Sequence, residues 1–196
     1  MDHFEVFGLP RRLAIDAGAL QRRFYELSRQ HHPDFHQGSS AQDQARALET
    51  SARVNTAYRA LRDPIARIEY LVRLEEGRET KEGDTARPKA PPELLAEMFE
   101  IQDALEEAKA GGLDEAGRAR LRDERARLRA RQADEEGTLG GPLSAAWDAA
   151  ADSAERARAL DAFKRALATR AYLRTVIDDL TDALGEGQEH VAHRRH

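Results

Sequence analysis

The 196-residue chain has no cysteine, which excludes disulfides, thiolate catalysis and thiolate ligation of zinc or of an iron–sulfur cluster. Aromatic residues are scarce at 6%, whereas charged residues make up 34%, a balance that favours solvated helices with narrow apolar stripes over a large enzyme-like core. No apolar run approaches the roughly 20 residues that span a bilayer, and the opening MDHFEVFGLP carries an acid at its second position. The expectation is therefore a cytoplasmic protein without membrane contact. A net charge of -5 offers no whole-chain attraction to nucleic acid, so any basic surface has to be local.

What is present is helical pattern. Phe4, Phe7 and Leu9 lead into Pro10 and supply core aromatics from a short helical or irregular segment. Asp16 reads as the N-cap of a helix on which Leu20, Phe24, Leu27 and His31 share a buried face. Arg22, Glu26 and Arg29 lie on the opposite face with Arg23 on the flank, so the exposed side is net positive. Pro33 disfavours helical geometry at His32, which ends the helix near His31 and leaves His32 and Asp34 on the following loop. A second seam of Ala47, Ser51, Val54, Tyr58 and Leu61 suits antiparallel packing against the Leu20 face. Two helices thus form a hairpin with His32, Pro33 and Asp34 at its tip. Asp63 and Pro64 supply the N-cap and first-turn proline of a short fourth helix that carries Ile65, Ile68, Leu71 and Val72 and closes near Leu74.

A stretch rich in charge, glycine and proline follows and reads as a linker. Beyond it, Leu94, Leu95, Met98, Ile101, Gln102 and Leu105 make a helical stripe that Gly111 and Gly112 stop. The arginine-rich segment from Asp114 to about Glu136 has a sparse seam of Leu121 and Leu128, and its helix rests on propensity and charge pairing. Gly137 to Pro142 reads as a loop. From Ala146 and Trp147 to Leu184 the pattern fits one long helix or a bent pair. The fold class is all-α, with an N-terminal helical domain over 1–75, a linker over 76–92, a three-helix bundle over 93–185 and a polar tail over 186–196.

The order of these parts is similar to that of the J-domain: a short first segment, a basic second helix, a His-Pro-Asp loop, a third helix running into VNTAYRALRDPIARIEYL, and a short last helix. The opening MDHFEVFGLP and the run Arg67, Glu69, Tyr70 and Leu71 resemble the HscB branch of that family, co-chaperones of iron–sulfur cluster assembly. The resemblance implies that His32, Pro33 and Asp34 trigger ATP hydrolysis in a DnaK/HscA-type chaperone, with Arg22, Arg23 and Arg29 facing an acidic surface of that partner. A carboxylate on a rigid turn suits such a task, because it can offer an arginine a charge-assisted hydrogen bond that strengthens as water is excluded. Phe35 and His36 stand where the family often has a basic residue. The resemblance further implies that the bundle binds an IscU-like iron–sulfur scaffold through Leu95, Phe99, Glu100, Asp103 and Glu107, with Tyr172 adding an aromatic from the last helix. Ala96 falls where a methionine is usual, so one apolar anchor is lost.

Other readings of the same residues remain. The bundle could serve a different client, and the apolar contact candidates could simply belong to a core. The segment from Arg118 to Arg131 could track phosphates, making the chain an arginine-rich nucleic-acid-binding protein, although Glu115, Asp123 and Glu124 interleave with it and no stacking aromatic lies nearby. No phosphate-cradling glycine motif, nucleophile elbow or metal-ligand spacing is present, so neither enzymatic activity nor a cofactor is expected. His31, His32 and His36 do not make a metal site, since His31 faces the core and Pro33 divides the others. The spaced tail histidines His190, His193 and His196 read as part of a disordered end.

Overall fold

The computed structural model describes residues 1–36, 38, 40–77, 94, 99, 101–103, 105, 106 and 113–185. Every regular element among them is helical, so the all-α expectation holds. Tertiary contacts divide the chain into two units, one of Met1–Glu82 with Gly140–Phe163 and one of Gly83–Leu139 with Lys164–His196.

In the first unit, α1 (His3–Val6) is closed by a reciprocal capping box between Asp2 and Glu5. Helix α2 (Ala17–Gln30) starts at the expected N-cap, where the Asp16 carboxylate accepts the Ala19 N–H at 2.8 Å. A 3-10 turn over Pro33–His36 follows, then α3 (Ala41–Arg62) and α4 (Pro64–Glu75), the last capped by Asp63 with Pro64 at its start. Helix α2 packs on α3, where Phe24 stacks on Tyr58 with ring centroids 4.0 Å apart. Leu20, Leu27, Val54 and Leu61 are buried as the two seams require, and Ala57 joins them. His31 is half-buried and supplies the C-cap of α2 rather than a full core side chain.

The run that carries the HscB resemblance does structural work in this unit. Tyr70 and Leu71 are buried, and the Tyr70 hydroxyl accepts the His3 N–H at 2.9 Å. Arg67 is 5% exposed, and its guanidinium donates to the carbonyls of Leu61 and Leu13. Burial lowers its pKa while Asp63 and Asp148 oppose that shift.

Helix α5 (Glu115–Thr138) realises the arginine-rich segment and buries Leu121 and Leu128. The loop expected over Gly137 to Pro142 is instead helical: α5 runs through Thr138 and passes into a π-helical turn over Leu139–Leu143. Glycines disfavour a helix by only about 1 kcal/mol each, and a π turn accommodates the N–H that Pro142 lacks. Burial of Leu139 favours keeping the helical path.

Between the two forms left open for the last region, the structure has the pair, α6 (Ser144–Ala149) and α7 (Ser153–Ala183). The backbone extends at Ala150, and a new N-terminus forms where Asp152 accepts the Glu155 N–H and Glu155 accepts the Ala151 N–H, both at 2.8 Å. In the second unit Leu94, Ile101 and Leu105 pack with Leu121 and Leu128 of α5 and with Leu173, Val176, Ile177, Leu180 and Leu184. Three segments therefore share one apolar core. The proposed linker and polar tail fall outside the described residues, apart from residues 76 and 77.

Candidate functional site

The tip of the first unit follows from two local rules. Pro33 bars helical geometry in the residue before it, and its own fixed φ suits the opening of a short 3-10 turn. Consequently α2 ends at Gln30, His31 caps it, and the Phe35 N–H donates to the His32 carbonyl at 3.1 Å across the turn. His32 and Asp34 are both exposed, with side chains 52% and 70% accessible. The His32 Nδ1 atom lies 3.3 Å from the Asp34 backbone nitrogen and 3.4 Å from Asp34 Oδ2. It accepts the first contact as neutral imidazole and donates to the carboxylate when protonated.

Arg22, Arg23 and Arg29 are all exposed on α2. Arg22 and Arg29, two turns apart, share a helix face and are separated along the axis by roughly 10 Å. Arg23 pairs with Glu26 at 3.1 Å, a contact between exposed groups that contributes little to stability and leaves both free to exchange partners. Arg23 lines a separate hollow with Phe7, Leu9 and Leu20, whereas the structure brings Arg29 together with His32 and Asp34. A shallow groove there is lined by Tyr25, Ser28, Arg29, His32, Asp34 and Phe35 among others.

Two aromatic members of this surface add to the predicted set. Tyr25 is 61% exposed and Phe35 70% exposed, and the Phe35 ring meets His32 edge-on at 6.1 Å. Tyr25 was detectable from its position off the Leu20, Phe24 and Leu27 stripe, because a tyrosine on a solvated helix face is an anchor for a partner. Phe35 was visible in sequence only as a departure from a basic residue.

The predicted client-contact residues are placed unevenly. Phe99 is 67% exposed and Asp103 is exposed, whereas Leu94, Ile101 and Leu105 of the expected stripe are buried and Gln102, placed in the same stripe, is exposed. Leu95, Glu100 and Glu107 lie outside the described residues. Tyr172 corrects the expectation: it is 8% exposed and packs in the apolar core with Leu173 and Val176. Its position on α7 falls on the inward stripe, and in this structure it is a core residue and not a surface contact.

Residues 2–70 match the DnaJ domain family, and residues 90–168 match the HSCB C-terminal oligomerisation domain family. The chain belongs to the HscB co-chaperone family. Among solved structures it is similar to the chaperone HscB from Vibrio cholerae, with 28% identity, 92% of this chain and 99% of that chain covered, and a TM-score of 0.50. The human co-chaperone protein HscB shares the fold at 22% identity with a TM-score of 0.56, covering 100% of this chain and 82% of that one. The His32, Pro33 and Asp34 tip lies within the J-domain match, and Phe99 and Asp103 lie within the HscB-specific match, whereas Tyr172 falls beyond its end at residue 168.

Proposed function

We propose that the chain is a cytoplasmic co-chaperone that stimulates ATP hydrolysis by a DnaK/HscA-type chaperone and delivers to it an IscU-like iron–sulfur scaffold protein, promoting cluster transfer. The observation that carries this reading is the pair of exposed tip residues His32 and Asp34 sharing a groove with Arg29 and the aromatics Tyr25 and Phe35. A surface of this composition fits a partner that presents carboxylates around an apolar patch. The protein itself performs no covalent chemistry in this scheme. Asp34 offers its carboxylate to a cation of the chaperone, the arginines speed encounter, and hydrolysis takes place in the partner. The iron–sulfur cluster is cargo carried by the scaffold, which the outward face with Phe99 and Asp103 would hold.

The test is the ATPase rate of the chaperone with this protein, with and without the scaffold. Stimulation that the scaffold raises further supports both halves of the proposal. Stimulation indifferent to the scaffold keeps the chaperone half and discards the client. An unchanged basal rate rejects the reading.

A further inference from the structure

The match to the J-domain ends at residue 70, yet the loop leading into α2 is held by two residues far beyond it. Both oxygens of the Asp148 carboxylate are engaged by successive backbone N–H groups, Oδ1 by Leu13 and Oδ2 by Ala14, each at 2.8 Å. The Leu13 carbonyl is taken by the Arg67 guanidinium, which also bonds the Leu61 carbonyl at the end of α3. One residue is thus gripped at its N–H by an anion and at its C=O by a cation. Just upstream, the Trp147 Nε1–H donates to the Arg11 carbonyl at 3.4 Å. The indole is 5% exposed and is fixed in turn by the Phe163 ring, 6.3 Å away.

We propose that Trp147 and Asp148 are positioning residues for the chaperone-docking face, fixing the loop from which α2, with Arg22 and Arg23, departs. This rests on the co-chaperone reading. Residues 14–16 have no helix or strand of their own, so side chains must satisfy their backbone groups. Leu13 and Ala14 immediately precede Ile15 and the N-cap Asp16, and the fixed loop therefore sets where the helix starts. Asp148 is of no use to its own helix, since it sits in the last turn of α6, where the dipole disfavours an anion. Its charge is accounted for by the two N–H groups, and charge-assisted bonds of this kind are about twice as strong as neutral ones.

Removing the carboxylate multiplies the conformations of the loop, and docking then has to select the one that presents α2 correctly. The apparent affinity falls by the fraction of molecules that remain competent. The trigger lies at the opposite end of α2 and keeps its geometry, so the rate at saturation is unaffected.

The experiment titrates full-length Asp148→Ala, Asp148→Asn and Trp147→Phe proteins into the chaperone ATPase assay and follows amide hydrogen exchange by NMR. The expected result for Asp148→Ala is a rise of about threefold or more in the half-saturating concentration. Its saturating rate stays at the wild-type value, and exchange accelerates at Leu13 and Ala14. Asp148→Asn, with one acceptor left, falls between, and Trp147→Phe shifts half-saturation while its ring still fills the core. Unchanged half-saturation in Asp148→Ala overturns the proposal, as does a lowered saturating rate or accelerated exchange throughout α2 and α3, which would make the residue one of general stability. A wild-type protein that fails to stimulate the chaperone refutes the co-chaperone reading instead, and the exchange rates of Leu13 and Ala14 then still decide whether Asp148 orders the start of α2.

Discussion

His3 lies flat against Tyr70, with ring centroids 4.1 Å apart and planes 17° from parallel, while its backbone N–H donates to the Tyr70 hydroxyl. Burial lowers the His3 pKa, with Asp2 opposing and Arg73 adding to the shift. Burial also acts on neighbouring Asp2, raising its pKa, but the Glu5 N–H and the Arg11 guanidinium, 2.8 Å away, outweigh it and the net shift is downward. The two groups that open the chain therefore both fold best in their deprotonated forms.

Stability should accordingly fall with acid in two stages. For His3 the unfolded chain binds the proton more readily, so its contribution is complete above the ordinary value of 6.5 and is lost as pH drops through the lower folded value. The Asp2 contribution is complete above 3.8 and is lost below that, in the same direction. Urea midpoints at pH 7.5 and 5.0 should separate more widely for the wild type than for His3→Gln. Equal separations would remove His3 as the cause of the first stage.

Asp34→Asn should leave the fold intact and reduce ATPase stimulation to the basal rate. The side chain is 70% exposed, so the expected change in stability is within about 0.5 kcal/mol. An amide cannot pair with a cation as a carboxylate does. Undiminished stimulation by a folded Asp34→Asn protein would rule out the trigger mechanism.

Arg67→Met should be severe. It leaves the Leu13 and Leu61 carbonyls without their shared donor, and buried acceptors so abandoned cost about 1–3 kcal/mol each. A thermal melt is the measure, and a loss below about 1 kcal/mol would mean that water replaces the guanidinium. Arg67→Lys should recover part of the loss, since a single ammonium cannot span both carbonyls.

Much of this was legible in sequence because it depends on local rules. The Asp16 and Asp63 caps, the stop at Pro33 and the seams of α2 and α3 need only spacing and capping chemistry. Gly137, Gly140 and Gly141 misled because a glycine permits a turn without requiring one, and burial of Leu139 decided the matter. The new helix start at Asp152 and Glu155 carried an acidic capping signature that was readable. Asp148 was not, since its partners are backbone amides at separations of 135 and 134 residues and no periodicity encodes them.

The same distinction separates the residues proposed to contact the client. Phe99 projects outward at 67% exposure while Tyr172 is buried at 8%, so the two predicted contacts should respond differently to mutation. Phe99→Ala with Glu100→Lys should weaken scaffold binding at least tenfold, a loss of about 1.4 kcal/mol, with helicity and chaperone stimulation retained. Tyr172→Ala should instead lower stability by about 3–5 kcal/mol, as cavities left by large aromatic side chains do, and reduce scaffold binding only to the extent that the bundle unfolds. Calorimetric titration beside a circular dichroism melt separates the cases. A stable Tyr172→Ala protein that no longer binds the scaffold would return Tyr172 to the contact surface and require the core around Leu173 and Val176 to open on binding.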